Sequence, residues 1–427
     1  MIDIKLLREH PEILKKDLGK RFERDKVAWV DDILENDKLK RKLQVEANEL
    51  RHRRNLLTAE VAALRGQGKD ASTVMEEAKA IPGKIKEIEA RMGECDARTQ
   101  QLLVALPNLT HDTVPVGRDE TENVVVRTWG AKPEFDFEPK DHIDLGLALD
   151  VMDIERAAKV SGARFYYLKR EAVHLGVALL RLALDIVTRD GFIPVLPPVM
   201  VREEAMFGAG FLPTGKDDIY YVKDRDLCLV GTAEIPLAAM HMNEILEEDQ
   251  LPLYYAGFST CFRTEAGAHG RDTKGIFRVH QFDKLELFKF TAPETSWQEH
   301  EKLVATAEKI YQRLGLHYRI VNICSGELGA TAAKKYDLEV WLPGQRKYRE
   351  VVSCSNCTDY QARRLNIRAR KKTGDKPRYV HTLNSTAIAL GRAIVAILES
   401  FQQKDGSIMT PEALTPLLGF SKIEKRA

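Results

Sequence analysis

Between residues 27 and 105 the apolar residues recur three and four apart, and few folds satisfy that spacing. Leu43, Ala47, Leu50, Leu57, Val61 and Leu64 keep the rhythm in the first half, with Arg54 interrupting it. Val74, Ala78, Ile81, Ile85, Ile88, Met92 and Cys95 keep it in the second half, and Leu102 and Leu106 resume it after a break at Thr99. Such spacing puts one apolar seam on each of two helices, over about 27–65 and 72–105. The Gly-containing segment between them, near residues 66–72, closes the pair into an antiparallel coiled-coil hairpin. At 1.5 Å per residue, an arm of about 35 residues each way reaches roughly 50–55 Å. Pro82-Gly83 falls inside the second helix. A proline there costs about 3 kcal/mol, which predicts a local bend or break. The exposed positions carry Lys38, Lys40, Lys42, Arg51 and Arg53, cations that can meet RNA phosphates; a solvated coiled coil without a partner is the plainer reading.

The chain of 427 residues suggests two or three domains, and 44% hydrophobic with 30% charged residues fits a globular protein with a substantial core. The net charge is only +1, so attraction to a nucleic acid has to come from local patches. The first residues, MIDIKLLREHPEILKK, have no apolar signal-type region, and no run of eighteen apolar residues exists to span a membrane. A cytoplasmic protein with reduced cysteines is expected. Of Cys95, Cys228, Cys261, Cys324, Cys354 and Cys357, only the last two form a CxxC, whereas a structural zinc site wants four ligands, so no zinc is expected.

The region after residue 106 alternates helices and strands without internal repeat. Its most informative stretch is 258–290, FSTCFRTEAGAHGRDTKGIFRVHQFDKLELFKF, which reads as two strands flanking a polar, Gly-containing loop. Period-two alternation puts Arg263 with Glu265 on one face of the first strand. It puts Arg278, His280, Phe282 and Glu286 together on the second, opposite Val279, Leu285 and Leu287. A face of arginines, carboxylates and one aromatic ring suits a nucleotide, with guanidinium forks for phosphate oxygens and a ring for a base. The alternative for these residues alone is an amphipathic hairpin with a charged solvent face.

Other segments carry chemistry less specifically. GTAEIPL places Thr232 and Glu234 on one strand face. REVVSCSNC sets Glu350 three residues before Ser353, an oxygen pair able to hold Mg²⁺ or simply a polar surface pair. HTLNSTAIALGRAIVAILE, at 381–399, reads as a strand, a polar break and an apolar helix in which Arg392 stands alone. A buried lone charge needs a partner, either a bound phosphate or a structural carboxylate. Residues 361–378 hold eight basic residues against Asp375, a local +7 that could meet RNA or be merely solvated. GFLPTGKD nearly matches a P-loop, but Asp217 stands where a hydroxyl would hold the metal and Pro213 removes a backbone donor, so it is rejected.

The run FRTEAGAHGRDTKGIFRVHQFDKLE resembles motif 2 of class II aminoacyl-tRNA synthetases, in detail that of the seryl-tRNA synthetase family. Residues 171–200 resemble motif 1 and 381–399 motif 3, so the likeness covers nearly the whole chain, arm included. It implies an α+β fold: an antiparallel sheet flanked by helices, residues 107–427, behind an N-terminal tRNA-binding domain, residues 1–106. A homodimer through motif 1 is implied as well. The implied reaction joins L-serine to ATP as seryl-adenylate, then passes serine to tRNA(Ser) gripped by the arm; charging of tRNA(Sec) stays open. By resemblance, Arg263, Arg392 and Glu350 are catalytic, with Mg²⁺ on Glu350 and Ser353. ATP would also meet Thr264, Glu265, Arg278, Val279, Phe282, Val351 and Val352. Serine would meet Thr232, Ala233, Glu234, Arg263, Glu286, Asn384 and Ser385. The competing readings are a synthetase paralogue serving another pathway and a catalytically silent RNA-binding protein. The arm argues against the first if its acceptor is a carrier protein, and the intact charged set argues against the second.

Overall fold

The computed structural model describes residues 1–267, 272 and 274–425, so part of the polar loop expected within 258–290 lies outside the described residues. The chain divides into two compact units that meet in sequence at Pro107 and Asn108.

The first unit starts with two short helices, α1 (Ile4–Glu9) and α2 (Pro11–Lys20). Asp3 caps the first through the Lys5 N–H, and Pro11 opens the second, where its missing N–H costs nothing. Their residues Leu7, Leu14 and Leu18 are fully buried, as are Val30 and Ile33 of the helix that follows. That helix, α3 (Val27–Gly66), and its return, α4 (Ser72–Ala105), form the hairpin. Leu43 and Ala47 pack on Ile88, and Leu57 on Ile81 and Ile85, so the heptad seam is the contact surface. α4 runs through Pro82 without the expected break. Buried Ile81 and Ile85 flank the proline, and their packing outweighs the one backbone bond it removes. Three of the cations expected to face phosphates are spoken for across the hairpin: Lys40 by Asp96 at 2.6 Å, Arg51 by Glu89 at 2.7 Å, Arg53 by Glu77 at 2.9 Å.

The second unit contains helices α5 (Glu171–Arg189), α6 (Glu234–Ala239), α7 (Ser296–Arg313), α8 (Tyr360–Leu365) and α9 (Leu390–Ser400). Among the described residues its largest sheet has eight strands. They are β1 (Val124–Trp129), β2 (Ile193–Val195), β3 (Leu253–Phe262), β4 (Gln281–Thr291), β5 (Tyr318–Asn322), β6 (Lys334–Leu342), β7 (Lys347–Asn356) and β8 (His381–Ala389). The order is β1-β5-β6-β7-β8-β4-β3-β2, antiparallel throughout except where β2 joins β3. Pro194 lies on β2, the sheet edge, where a strand proline is tolerated. Leu285 and Leu287 of β4, Val352 of β7 and Ile388 of β8 share a core with Leu175, Leu179, Leu303, Ile310 and Ile394 of helices α5, α7 and α9.

Three local expectations change. Residues 231–233 form a turn rather than a strand, and Glu234 opens α6; Pro236 is accepted because it falls in the first helical turn. The polar break expected inside 381–399 is absent, since β8 carries Asn384-Ser385-Thr386 and ends only at Ala389. The strands of 258–290 are shorter than expected, because β3 stops at Phe262 and β4 begins at Gln281. Three bulges also interrupt the ladders, one on β1 between Val125 and Arg127 and two nearer the middle of the sheet. Val351 is extra between the pairs Leu338–Val352 and Glu339–Glu350, and Ala387 is extra between Thr386–Glu286 and Ile388–Leu285.

Candidate active site

The bulges explain a constellation that simple alternation forbids. On a regular strand residues three apart face opposite ways. The extra residue at Val351 shifts the phase, so Glu350, Ser353 and Ser355 all line one cavity of about 310 Å³. On β8, Asn384 and Thr386 line it before the bulge and Ala389 after, and Gly391 and Arg392 continue its wall from α9. β4 is regular, and Phe282, Lys284 and Glu286 project into the same space.

One group of lining residues is cationic and aromatic. Arg263 donates through Nε to the Gly231 carbonyl at 3.1 Å, and its guanidinium lies 5.2 Å from the Phe282 ring centre. Its backbone N–H bonds the His280 carbonyl at 2.9 Å, which closes the loop. Glu265 and Arg278 form a 2.6 Å ion pair. Arg392 donates to the Glu350 carboxylate at 3.1 Å and carbonyl at 3.0 Å, and stands 4.8 Å from the Phe277 ring. Burial pushes the Glu350 carboxyl up, but Arg392, Lys335 and Arg263 more than offset it and hold it below its ordinary range. Across the ladder from Ser353 lies buried Asp337, pushed up to about 7 by burial and by Glu350, against the pull of Lys335 and Ser353. Oxygen donors of this kind fit a hard divalent cation. Among the described residues no group of three or more His, Cys, Asp or Glu gathers at one point.

The second group is compact and polar. Lys284 Nζ sits 2.5 Å from the Glu286 carboxylate and donates to Thr232 Oγ1 at 2.8 Å. Glu234 Oε1 accepts from Gln361 Nε2 at 2.8 Å and Asn384 Nδ2 at 3.0 Å. Burial, then the nearby Glu286 charge, push Glu234 up to about 7, although Gln361, Lys284 and Arg263 favour its ionised form.

Thirteen of the residues named from sequence line this cavity: Arg263, Glu265, Arg278, Val279, Phe282, Glu286, Thr232, Glu234, Glu350, Val351, Ser353, Asn384 and Arg392. Four do not. Ser385 is fully buried on the other face of β8, its hydroxyl on the Thr386 carbonyl at 3.1 Å, and Thr386 takes the place expected for it. Val352 lies in the core because the bulge turned its face, and Ala233 is buried behind the turn. Thr264 points its hydroxyl to the Asp217 carbonyl. Sequence reasoning missed Lys284 and Thr386, although both lie two residues from a named partner on the same face. Phe277 and Ile276 gave no comparable signal. They are held in the wall from behind, where His142 Nε2 accepts the Ile276 N–H at 3.4 Å and His142 Nδ1 bonds buried Glu399 at 3.0 Å.

The basic run of 361–378 is largely internal. Arg363 pairs with Asp359 at 2.7 Å, Arg364 donates to the Phe207 and Leu212 carbonyls, Arg370 meets Glu247 at 3.4 Å, and Arg378 meets Glu248 at 2.6 Å. Lys371, Lys372 and Lys376 stay exposed. Cys354 and Cys357 are buried, and burial pushes both thiols up.

A model of the tRNA synthetase class II core domain (G, H, P, S and T) matches residues 220–401, and one of the seryl-tRNA synthetase N-terminal domain matches 1–110. A serine–tRNA ligase of Pyrococcus horikoshii is 51% identical over 443 aligned positions, spanning 99% of this chain and 97% of its own length. The crystal structure of seryl-tRNA synthetase from Pyrococcus horikoshii complexed with ATP superposes with a TM-score of 0.97 at 50% identity, covering 100% of both chains. That of the cytoplasmic serine–tRNA ligase from Naegleria fowleri in complex with AMP gives 0.91 at 33% identity, over 100% of this chain and 99% of the other. An antiparallel sheet with this charged cavity and this core match is the catalytic module of a class II aminoacyl-tRNA synthetase, an enzyme of the ligase class. Identity at that level from end to end, arm included, is decisive for the finer division: the chain belongs to the seryl-tRNA synthetase family.

Proposed function

We propose that this chain activates L-serine with ATP and transfers the seryl group to the 3′ end of tRNA(Ser). The observation that carries the reading is one continuous cavity in which the arginine and aromatic group adjoins a pocket of carboxylate, amide and hydroxyl side chains. In the first step a serine carboxylate oxygen attacks the α-phosphate of ATP, the bond to the β-phosphate breaks, and pyrophosphate leaves. Such a step needs positioning and charge neutralisation more than a protein base. Of the three guanidiniums lining the cavity, Arg263 and Arg392 would clamp phosphate oxygens, with Phe282 as the platform for adenine and Glu265 beside its amino group. Glu350 and Ser353 would hold Mg²⁺, which supplies charge neutralisation at phosphate oxygens when bound. Glu286 takes the serine ammonium. Thr232, Glu234, Asn384 and Thr386 surround its hydroxyl, so glycine leaves polar groups unpaired and threonine is refused by size. In the second step a terminal ribose hydroxyl attacks the seryl carbonyl and AMP leaves.

The helical arm is the part that would grip tRNA. Assembly as a homodimer through 171–200 is supported by apolar side chains left in the open there, Val177 at 65% and Leu196 at 83% exposure. Among the described residues no helix is long and apolar enough to cross a membrane, and we place the enzyme in the cytoplasm. The test is pyrophosphate exchange with ATP and each amino acid. Mg²⁺-dependent exchange specific to serine is expected. Exchange with another amino acid would support a paralogue, and none at all a silent RNA-binding protein.

A further inference from the structure

Behind the pocket, out of reach of any ligand in it, Gln361 of α8 is completely buried. Its Nε2 donates to the Ala209 carbonyl at 2.9 Å and to Glu234 Oε1 at 2.8 Å. Its Oε1 accepts the Thr382 hydroxyl at 2.6 Å. Only one orientation of the amide satisfies these groups. A carbonyl and a carboxylate oxygen can only accept, so the NH₂ end has to face them, and the Thr382 hydroxyl is left to donate to the other end. Turning the amide over would set oxygen against two oxygens where the residue is fully buried, an expensive arrangement.

The consequence falls on Glu234. The terminal torsion of a glutamate is broad and does not by itself aim the carboxylate. Here one oxygen is pinned by two donors arriving from different elements, Gln361 from α8 and Asn384 from β8. With Oε1 taken by two donors, Oε2 is the oxygen left for a group in the cavity that Glu234 lines. A donor on the ionised carboxyl also opposes the upward push of burial, in keeping with Gln361 favouring the charged form.

We propose that Gln361, locked by Thr382, is a positioning residue that sets the enzyme's choice of serine by aiming Glu234 at the substrate hydroxyl. The inference rests on the reading of Glu234 as the acceptor of that hydroxyl. Alanine, which lacks the hydroxyl, is the natural probe, because a site built to pair a polar group rejects the analogue without it far better than it rejects a difference in bulk.

The experiment is steady-state pyrophosphate exchange by the full-length enzyme with serine and with alanine, at varied ATP. Gln361→Glu is isosteric but turns an oxygen toward Glu234. It is expected to raise the serine KM about tenfold or more and to lower the serine-over-alanine ratio of kcat/KM by a similar factor, with the ATP KM within about twofold. Thr382→Val should move the same two quantities in the same direction by a smaller factor, and Thr382→Ser should restore them. An unchanged ratio in Gln361→Glu, or serine and ATP KM rising together, would overturn the proposal, since a residue that merely fills space has no reason to act on the hydroxyl alone. Should Gln361→Glu fail to fold, the Thr382 pair decides: a ratio lowered by valine and restored by serine supports the proposal, and one unmoved by valine overturns it. Glu234→Gln separates the two levels. If it leaves the ratio intact, the reading of Glu234 and the proposal fall together. If it collapses the ratio while the Gln361 and Thr382 variants do not, only the proposal falls.

Discussion

In the arm the seam residues Leu43, Ala47, Leu57, Ile81, Ile85 and Ile88 obey a seven-residue repeat, and the ion pairs Lys40–Asp96, Arg51–Glu89 and Arg53–Glu77 ride outside it. Even a proline at position 82 leaves the helix unbroken. In the catalytic sheet the two-residue repeat holds along β4 but slips at Val351 and at Ala387, and the cavity is lined from both sides of each slip. The arm absorbs a defect and stays helical. The sheet uses defects to bring residues of opposite phase, such as Glu350 and Ser353, to one place. Regular repetition builds reach, and interruption builds chemistry.

The largest effect that would test this division is on tRNA charging. Replacing residues 36–98 with a short Gly/Ser turn is expected to leave pyrophosphate exchange within a few-fold of the intact enzyme. Transfer of serine to tRNA should fall by orders of magnitude, since each lost 1.4 kcal/mol of phosphate contact is about tenfold. Loss of exchange in that variant would show that the arm is part of the catalytic fold, and normal charging that it does not read tRNA.

The converse perturbation is to regularise the sheet. Inserting one residue between Leu338 and Glu339 of β6 gives Val351 a partner and puts Glu350 and Ser353, three apart on a strand then regular, on opposite faces. Exchange is expected to drop by about 10²–10³, the scale of losing one preorganised electrostatic contact. Circular dichroism checks that the sheet survives, and retained activity in a folded protein would show that the slip is incidental.

A smaller, sharper change is Glu286→Gln, which keeps shape and removes charge. The serine KM should rise by the value of a charged hydrogen bond, about 1.5–3 kcal/mol, with ATP binding little altered. Equal loss for ATP would mean that Glu286 belongs to the nucleotide.

The smallest effect is on pH dependence. Glu234 is pushed up to about 7 from an ordinary 4.5, so its ionised fraction grows as pH rises through neutrality. As an acceptor for the serine hydroxyl it should lower the serine KM a few-fold between pH 6 and 8, and Glu234→Gln should flatten that trend. The linked stability runs the other way. The native state holds this proton more tightly than the unfolded chain, so Glu234 subtracts stability progressively as pH climbs from about 4.5 to 7.

What the sequence made legible follows the same division. The seam and its two helices could be read from spacing, because a coiled coil is a local pattern repeated. Phe282 and Glu286 could be read because β4 is regular, and Lys284 between them was equally available. Ser385 was named where Thr386 lines the cavity, one residue away, which on a strand is a whole face. The joint use of Glu350 and Ser353 came through resemblance, since spacing alone sets them apart. Gln361 and Asp337 matter through partners 127 and 16 positions away, Glu234 and Ser353, and no local pattern announces such pairs.

Lys284 and Glu286, 2.5 Å apart, carry one more implication. The carboxylate that would receive the amino-acid ammonium is already answered by an ammonium of the chain itself. An incoming ammonium would share that carboxylate with Lys284, so the contact gains less than one made to a lone charge. Every amino acid brings the same ammonium, so attraction to it would reward all of them equally. With that reward muted, the contacts left to decide affinity are those to the side chain, where one amino acid differs from the next.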